Sequence, residues 1–321
     1  MKHRTINSFA LIISAAALFA GCGGSQRPIG APGTTPQSRA IVQHAARSKS
    51  WMQETSGDLT YASGPDTYIL SYPTGGIVNS FSVREALSLC SNKKGEVFFP
   101  GSEQVLKYEH GATSPSATLK DAGYFAAACS SDPQSGDLAV ANSTGAVSGP
   151  GSLAIYTKGK GKPNFYFDPT IKYYDSCAYD NRGNLFVIGG SASAGVVLTE
   201  KSRGSDTFTD ISVSASVPNP GQLQWDGKYL ALAADGNRTI YRLAISGSTA
   251  TVAGTTTLSG QRKGLTFVIN ANRILAPSGK YGTQVGVWRY PQGGQRLTVS
   301  QTLYSKHALI TGVTVSLAPH R

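Results

Sequence analysis

The sequence predicts an all-β protein, a six-bladed β-propeller with four strands in each blade. Its 321 residues include 37 glycines and only 15% charged residues, a composition typical of sheets joined by many turns. Short apolar strands around polar turns recur roughly every 40 to 50 residues, which is the period of a propeller blade. The first and last units of this repeat are incomplete in complementary ways. Together they make one further blade.

The clearest unit of the repeat runs from Ser176 to Gly189. Apolar and polar residues alternate over Cys177–Tyr179 and again over Leu185–Ile188, as in pleated strands, and Asp180–Gly183 supplies the residues of a tight turn. This pattern predicts a hairpin whose first strand is the innermost strand of a blade. Aligning the chain on this hairpin predicts six such innermost strands, anchored at Cys90, Cys129, Cys177, Leu223, Leu265 and Val313.

The two ends of the repeat predict how the ring closes. The last anchor, in Gly312–Ser316, is too close to the C-terminus for three further strands. Three N-terminal strands lack an innermost partner: Asp58–Ser63, Thr67–Tyr72 and Val78–Val83. Pairing Val313–Leu317 with Leu59–Ala62 removes both exposed sheet edges and closes six blades. A β-sandwich and a seven-bladed ring are the competing interpretations, and the near-regular period with complementary ends favours six blades.

The repeat unit resembles that of NHL-type and related six-bladed propellers over about Gly57 to Leu317. Each unit has an apolar residue, a polar turn with Asp and Gly, and then a segment of the type Leu-x-Val. Five shorter segments are similar to an uncharacterised group of exported bacterial propeller lipoproteins: Ser50–Met52, Tyr68–Pro73, Cys129–Pro133, Gln224–Lys228 and Trp288–Pro291. This resemblance implies a fold and no particular activity.

The N-terminus predicts export. Basic residues precede an apolar run over Phe9–Ala20, which has the length of a signal-peptide core and is shorter than the roughly 18 residues of a membrane-spanning helix. Leu18–Cys22 resembles a bacterial lipobox, although Phe19 stands where an aliphatic residue is usual. We therefore expect residues 1–21 to be a signal peptide and Cys22 to be the lipidated residue. Plain secretion is the alternative.

The polar composition after Cys22 predicts a flexible tether over residues 22–56, followed by the propeller over residues 57–321. We expect the mature protein to lie outside the cytoplasm, held to the bacterial membrane by its lipid. Removal of residues 1–21 takes away Lys2 and Arg4 and no acidic residue, so the formal net charge falls from +11 to +9, which suits anionic glycans, envelope polymers or lipid headgroups on that side of the membrane. We expect no nucleic-acid partner, and we expect a monomer.

Three cysteines occupy equivalent positions in successive blades: Cys90, Cys129 and Cys177. Innermost strands of neighbouring blades are not hydrogen-bonded partners, whereas a disulfide needs Cα atoms roughly 4.4–6.8 Å apart. We therefore favour three small buried residues over a Cys90–Cys129 or Cys129–Cys177 bridge.

The segments that lead into the innermost strands are expected to gather on one face around the channel. They contain tyrosines suited to stacking on sugars and cations suited to carboxylate or phosphate groups. The candidate ligand-binding residues are Tyr124, Tyr173, Tyr174, Arg262, Lys263, Tyr304, Lys306 and His307. The alternative is structural: Tyr124, Phe125 and Tyr174 seal the gaps between blades.

No Walker loop, His-Glu-x-x-His or Gly-x-Ser-x-Gly motif is present in the sequence. We therefore predict a non-enzymatic binding or scaffold protein that recognises a glycan, an envelope polymer or a protein, with no catalytic residue, metal or cofactor. The alternative is a metal-dependent, lactonase-like hydrolase or lyase on the same face, with oxygen ligands drawn from Glu85, Glu103, Asn142 and Asp175.

Overall fold

The computed structural model describes residues 57–83, 86, 88–121, 125–144, 149–191, 195–214, 217, 220–234, 238–262, 266–305 and 308–319. These residues all belong to one compact unit. The predicted signal peptide, Cys22 and the tether lie outside them. No helix in these ranges is long and apolar enough to cross a membrane.

Six sheets confirm the six-bladed β-propeller. The N-terminal strands are β1 (Leu59–Ser63), β2 (Thr67–Ser71) and β3 (Ile77–Phe81). Blade one contains β4 (Cys90–Ser91), β5 (Val97–Pro100), β6 (Gln104–Tyr108) and β7 (Ala117–Lys120). Blade two contains β8 (Phe125–Ser131), β9 (Leu138–Thr144), β10 (Pro150–Tyr156) and β11 (Asn164–Tyr166). Blade three contains β12 (Tyr173–Tyr179), β13 (Leu185–Gly190), β14 (Val196–Lys201) and β15 (Thr209–Asp210).

The remaining blades follow the same order. Blade four contains β16 (Ser212–Val213), β17 (Pro220–Trp225), β18 (Leu230–Ala234), β19 (Thr239–Ser246) and β20 (Thr249–Thr257). Blade five contains β21 (Val268–Asn270), β22 (Arg273–Ser278), β23 (Gln284–Arg289) and β24 (Gly293–Val299), and the last strand is β25 (Gly312–Ser316). Blade four has five strands because β16 pairs in parallel with the outer edge of β20.

The predicted ring closure is confirmed. Strand β25 is antiparallel to β1, with Leu59 opposite Ser316 and Ala62 opposite Val313, so that blade six combines β25 with β1, β2 and β3. The closing strand is also held by blade one, since His110 Nδ1 lies 2.7 Å from Ser316 Oγ. Closure therefore joins both ends of the propeller, and the facing edges of β1 and β25 are paired with each other.

The fifth innermost strand begins later than predicted. Leu265 lies outside the described residues, and β21 begins at Val268. Side chains from blade four account for this position: Gln222 Oε1 accepts from Phe267 N at 2.8 Å, and Gln224 Oε1 accepts from Ile269 N at 2.6 Å. Sequence periodicity carries no information about these contacts between blades, so it placed the anchor three residues too early.

The core lies between the blades. Six buried apolar clusters fill the six junctions of the described ring, each drawing residues from two facing sheets. Phe98 and Tyr156 close the junction of blades one and two, and Trp288 packs in the junction of blades four and five. Each blade is thus buried on both faces, which accounts for the apolar runs in its inner strands.

Two of the three aligned cysteines form a disulfide, and the expectation that they stay unpaired is wrong. Cys90 and Cys129 are bonded, with their Cα atoms 5.7 Å apart. Adjacent innermost strands converge on the ring axis closely enough for a disulfide even though they share no ladder hydrogen bonds. Cys177 is free and buried, and burial raises the pKa of its thiol to about 12.

Candidate functional site

The alternating strand direction gives the propeller two faces. The loop face is the one where the innermost strands begin, and it carries Phe125 and Tyr173 at the starts of β8 and β12. The turn face is the one where those strands end, and it carries Asn92 and Asp226 just beyond β4 and β17. Turns between second and third strands lie on the loop face, because each strand reverses the direction of the one before it.

Four of the eight predicted site residues are described: Tyr173, Tyr174, Arg262 and Tyr304. Tyr124, Lys263, Lys306 and His307 lie outside the described residues. Tyr173 is 39% exposed on the loop face, and Arg262 is half-buried there. These two side chains are open to a ligand at that face.

Tyr174 and Tyr304 are buried between elements of the propeller. The hydroxyl oxygen of Tyr174 accepts from Asp168 N at 2.6 Å, and burial raises the pKa of this tyrosine to about 12. Tyr304 donates to Ala62 O at 3.3 Å, with its ring edge-on to Tyr68 at 5.2 Å between centroids. Both side chains therefore hold the loop face together and offer it no exposed ring.

Exposed apolar side chains collect on the loop face. Nine large apolar residues are exposed in the described part of the chain, and seven of them lie at strand ends or turns of this face. The seven are Phe125, Phe167, Tyr173, Val196, Tyr281, Val299 and Leu309. The other two are Ile77 and Leu297, on the fourth strands of blades six and five. Phe125, which the structural alternative assigned to a blade gap, is 41% exposed.

Two of the exposed rings carry a lysine beside them. Lys172 Nζ lies 5.1 Å from the ring centroid of Tyr173, and Lys280 Nζ lies 5.3 Å from that of Tyr281. A cation at this distance is attracted by the ring and stays in water. The loop face therefore presents flat rings and positive charge side by side.

Arg262 lines a concave pocket of about 550 Å³ between blades four and five. We call it the basic pocket, and its lining residues are Arg238, Gly260, Gln261, Arg262, Gly279, Lys280 and Arg296. Sequence reasoning found Arg262 and missed the other three cations. Arg238 and Lys280 follow second strands, β18 and β22. Turns that follow second strands lie on the loop face, and this rule would have predicted these two residues from the sequence.

Glycines let two arginines approach the backbone in this pocket. A Cβ at Gly282 would lie 2.7 Å from Arg262 Cδ, and a Cβ at Gly260 would lie 3.3 Å from Arg296 Nε. Both glycines also have positive φ angles, +69° and +76°, which a side chain would strain. Arg296 Nη1 donates to Ser278 Oγ. The hydrogen bond therefore positions the Arg296 guanidinium, and the close approach to Gly282 places the Arg262 side chain along the backbone.

The central channel forms a second cavity, of about 440 Å³, which reaches the turn face beside Asn181 and Asn270. Polar side chains of the innermost strands around it hold adjacent blades together. The Oγ atom of Ser130 accepts from Tyr179 N at 3.0 Å, and that of Ser176, on β12, accepts from Leu223 N at 2.9 Å.

The glutamines of β17 extend this linkage to blade five. Gln224 accepts from Ile269 N and donates to Ile269 O at 3.1 Å, which uses both ends of its amide. With the Cys90–Cys129 disulfide, these bonds link the innermost strands of blades one to five. The channel was missed as a cavity because the sequence argument placed all binding on the loop face.

No group of three or more His, Cys, Asp or Glu side chains in the described ranges is placed to hold a metal ion. Of the oxygen ligands considered from sequence, Glu85 lies outside these ranges, Asp175 and Glu103 are exposed, and Asn142 is fully buried. Asn142 Nδ2 donates to Asp121 Oδ1 and to Ser152 Oγ, at 3.2 Å each. Burial raises the pKa of Asp121 to about 6, although the Asn142 hydrogen bond partly lowers it.

No known protein family matches the sequence, and no curated protein is similar to it. Solved structures are similar in fold. A chain of a nidogen/laminin complex matches with a TM-score of 0.63 at 12% identity, over 82% of this chain and 100% of that one. A protein of unknown function from Bacteroides caccae matches with a TM-score of 0.56 at 11% identity, over 81% and 99%. The Cps50 (Swd1) β-propeller domain of Myceliophteria thermophila matches with a TM-score of 0.51 at 11% identity, over 74% and 82%.

At these identities the likeness shows the fold alone. The chain is a six-bladed β-propeller, a fold consistent with a binding or scaffold role.

Proposed function

We propose that this propeller is a non-enzymatic binding module, anchored outside the cytoplasm through lipidated Cys22, which recognises an acidic glycan or envelope polymer on its loop face. The observation that carries the proposal is the set of exposed apolar side chains on that face, seven of the nine in the described part of the chain. Exposed apolar side chains that share one face and lie beside polar and charged groups are a feature of ligand-binding surfaces.

The composition of this face favours a carbohydrate. Tyr173 and Tyr281 offer an apolar ring with a polar hydroxyl, which suits the mixed surface of a sugar. Lys172 and Lys280 lie beside these rings and supply charge for an acidic substituent. The net charge, +9 once residues 1–21 with Lys2 and Arg4 are removed from the +11 of the whole chain, favours an anionic polymer over a neutral one.

The test is binding of the full chain, purified in detergent, to an array of glycans and envelope polymers. Tyr173→Ala and Tyr281→Ala should each weaken the ligand severalfold to about tenfold because a stacking ring is lost. Ile77→Ala is the matched control, since Ile77 is 41% exposed at the turn face. All three variants should keep the melting temperature of the parent. A ligand that ignores both tyrosine variants would place recognition elsewhere on the propeller.

A further inference from the structure

We infer that the basic pocket is the subsite for the charged group of the ligand, a carboxylate, sulfate or phosphate ester on a hydroxylated sugar ring. This inference rests on the proposed function and assigns the chemistry of one part of the loop face.

Charge is the first argument. Four cations from separate segments line one cavity: Arg238, Arg262, Lys280 and Arg296. None of the ion pairs formed by the described residues involves any of them. Asp235 and Lys263, nearby in sequence, lie outside those residues. Like charges around a shared cavity repel one another, and a bound oxyanion converts that repulsion into attraction. Three of the four are arginines, whose planar guanidinium groups match carboxylate and phosphate oxygens.

Positioning is the second argument. Arg262 packs against Gly282, where a Cβ would lie 2.7 Å from its Cδ, and Arg296 donates a hydrogen bond to Ser278 Oγ. Arginines on an ordinary solvated surface lose rotamer freedom only when they bind. Because its hydrogen bond already holds the Arg296 guanidinium in the pocket, less of that entropy is lost when an anion binds there.

A buried acceptor is the third argument, and it points to a sugar. Gln261 lines the pocket, is only 3% exposed, and its Oε1 has no hydrogen-bond partner. A buried acceptor without a donor is costly, and a carboxylate, a sulfate ester or a phosphodiester has no donor of its own to offer it. A sugar hydroxyl next to the charged substituent supplies that donor, so the pocket suits such a group on a hydroxylated ring better than the same group without a hydroxyl beside it.

The experiment measures binding of the full chain, in detergent, to four probes: heparin, polygalacturonate, poly(glycerol phosphate) and neutral dextran. The variants are Arg262→Ala, Arg262→Lys and the matched control Arg182→Ala, which removes one exposed arginine from the turn face. Arg262→Ala should weaken an acidic probe about tenfold or more, because a charge-assisted hydrogen bond is lost. The affinity of Arg262→Lys for the same probe should lie between those of Arg262→Ala and the parent. The affinity of Arg182→Ala should stay within about twofold of the parent's.

Salt and the tyrosine variants complete the design. Binding of the acidic probe should weaken as salt rises from about 50 to 300 mM, and less steeply in Arg262→Ala than in the parent. Equal losses in Arg262→Ala and Arg182→Ala would show diffuse attraction to the whole protein and overturn the pocket. Failure of all three acidic probes to bind would also overturn it. If Tyr173→Ala and Tyr281→Ala lose binding while Arg262→Ala binds as the parent does, the assignment of the basic pocket as the subsite is wrong and the proposed function stands. If none of these loop-face variants changes binding, both fall.

Discussion

Asp121 should make the folded propeller less stable as pH rises through the range in which it ionises. The carboxyl is fully buried, no ion pair in the described part of the chain involves it, and its pKa is raised to about 6 from a usual 3.8. The folded state therefore holds this proton more tightly than the unfolded state. The stability it contributes is complete below pH 3.8 and is lost as pH rises through about 6.

The difference between the two pKa values, about two units, corresponds to about 3 kcal/mol of unfolding free energy. Asp121→Asn keeps the shape and the acceptor that Asn142 uses, and it removes the charge. It also replaces the unpartnered acceptor Asp121 Oδ2 by an amide nitrogen that can donate, and Asn142 Oδ1 is a buried acceptor that has no partner in the parent. We expect the variant to be more stable than the parent by up to about 3 kcal/mol at pH 8, with most of that gain gone at pH 4.

Urea unfolding of both proteins at several pH values between 4 and 8 measures this difference directly. Burial lowers the pKa of His110, so its contribution is lost as pH falls, but the subtraction cancels it because both proteins contain it. Glu103→Gln is the matched control, since Glu103 is exposed and touches Asp121 through its backbone carbonyl, which accepts from Asp121 N at 2.9 Å. A gain in Asp121→Asn that is the same at pH 4 and pH 8 would refute the ionisation argument.

Two further predictions concern the ends of the chain. Deleting Gly312–Arg321 should abolish cooperative thermal unfolding, because β1 and the innermost edge of blade six lose their partner strand, and an unchanged melting transition by circular dichroism would contradict that role. Cys22→Ser should release the protein from the membrane fraction without a lipid, and mass spectrometry of the parent that finds no acyl chain on Cys22 would contradict the anchor.

The sequence predicted the ring and its closure because both depend on local patterns. Strand alternation and turn residues repeat within each blade, so the bounds of β14 and β22 could be predicted from the residues they contain. The pairing of β25 with β1 followed from the complementary incomplete ends of the repeat.

Contacts between blades could not be predicted from the sequence in the same way. The start of β21 depends on Gln222 and Gln224 from blade four, and the Cys90–Cys129 disulfide depends on how closely two innermost strands converge. His110 is likewise fixed by Ser316, 206 residues further along the chain.

Some features of the candidate site were likewise predictable from sequence and others were not. Strand order can be read from the sequence, so the segments that reach the loop face were predicted, and with them Tyr173 and Arg262. The inward position of Tyr174 and Tyr304, and the pocket that Arg262 shares with cations distant in sequence, are visible only once the blades are packed. Local alternation sets the direction of a strand, whereas the packing of one blade against the next sets the burial of a side chain and its neighbours.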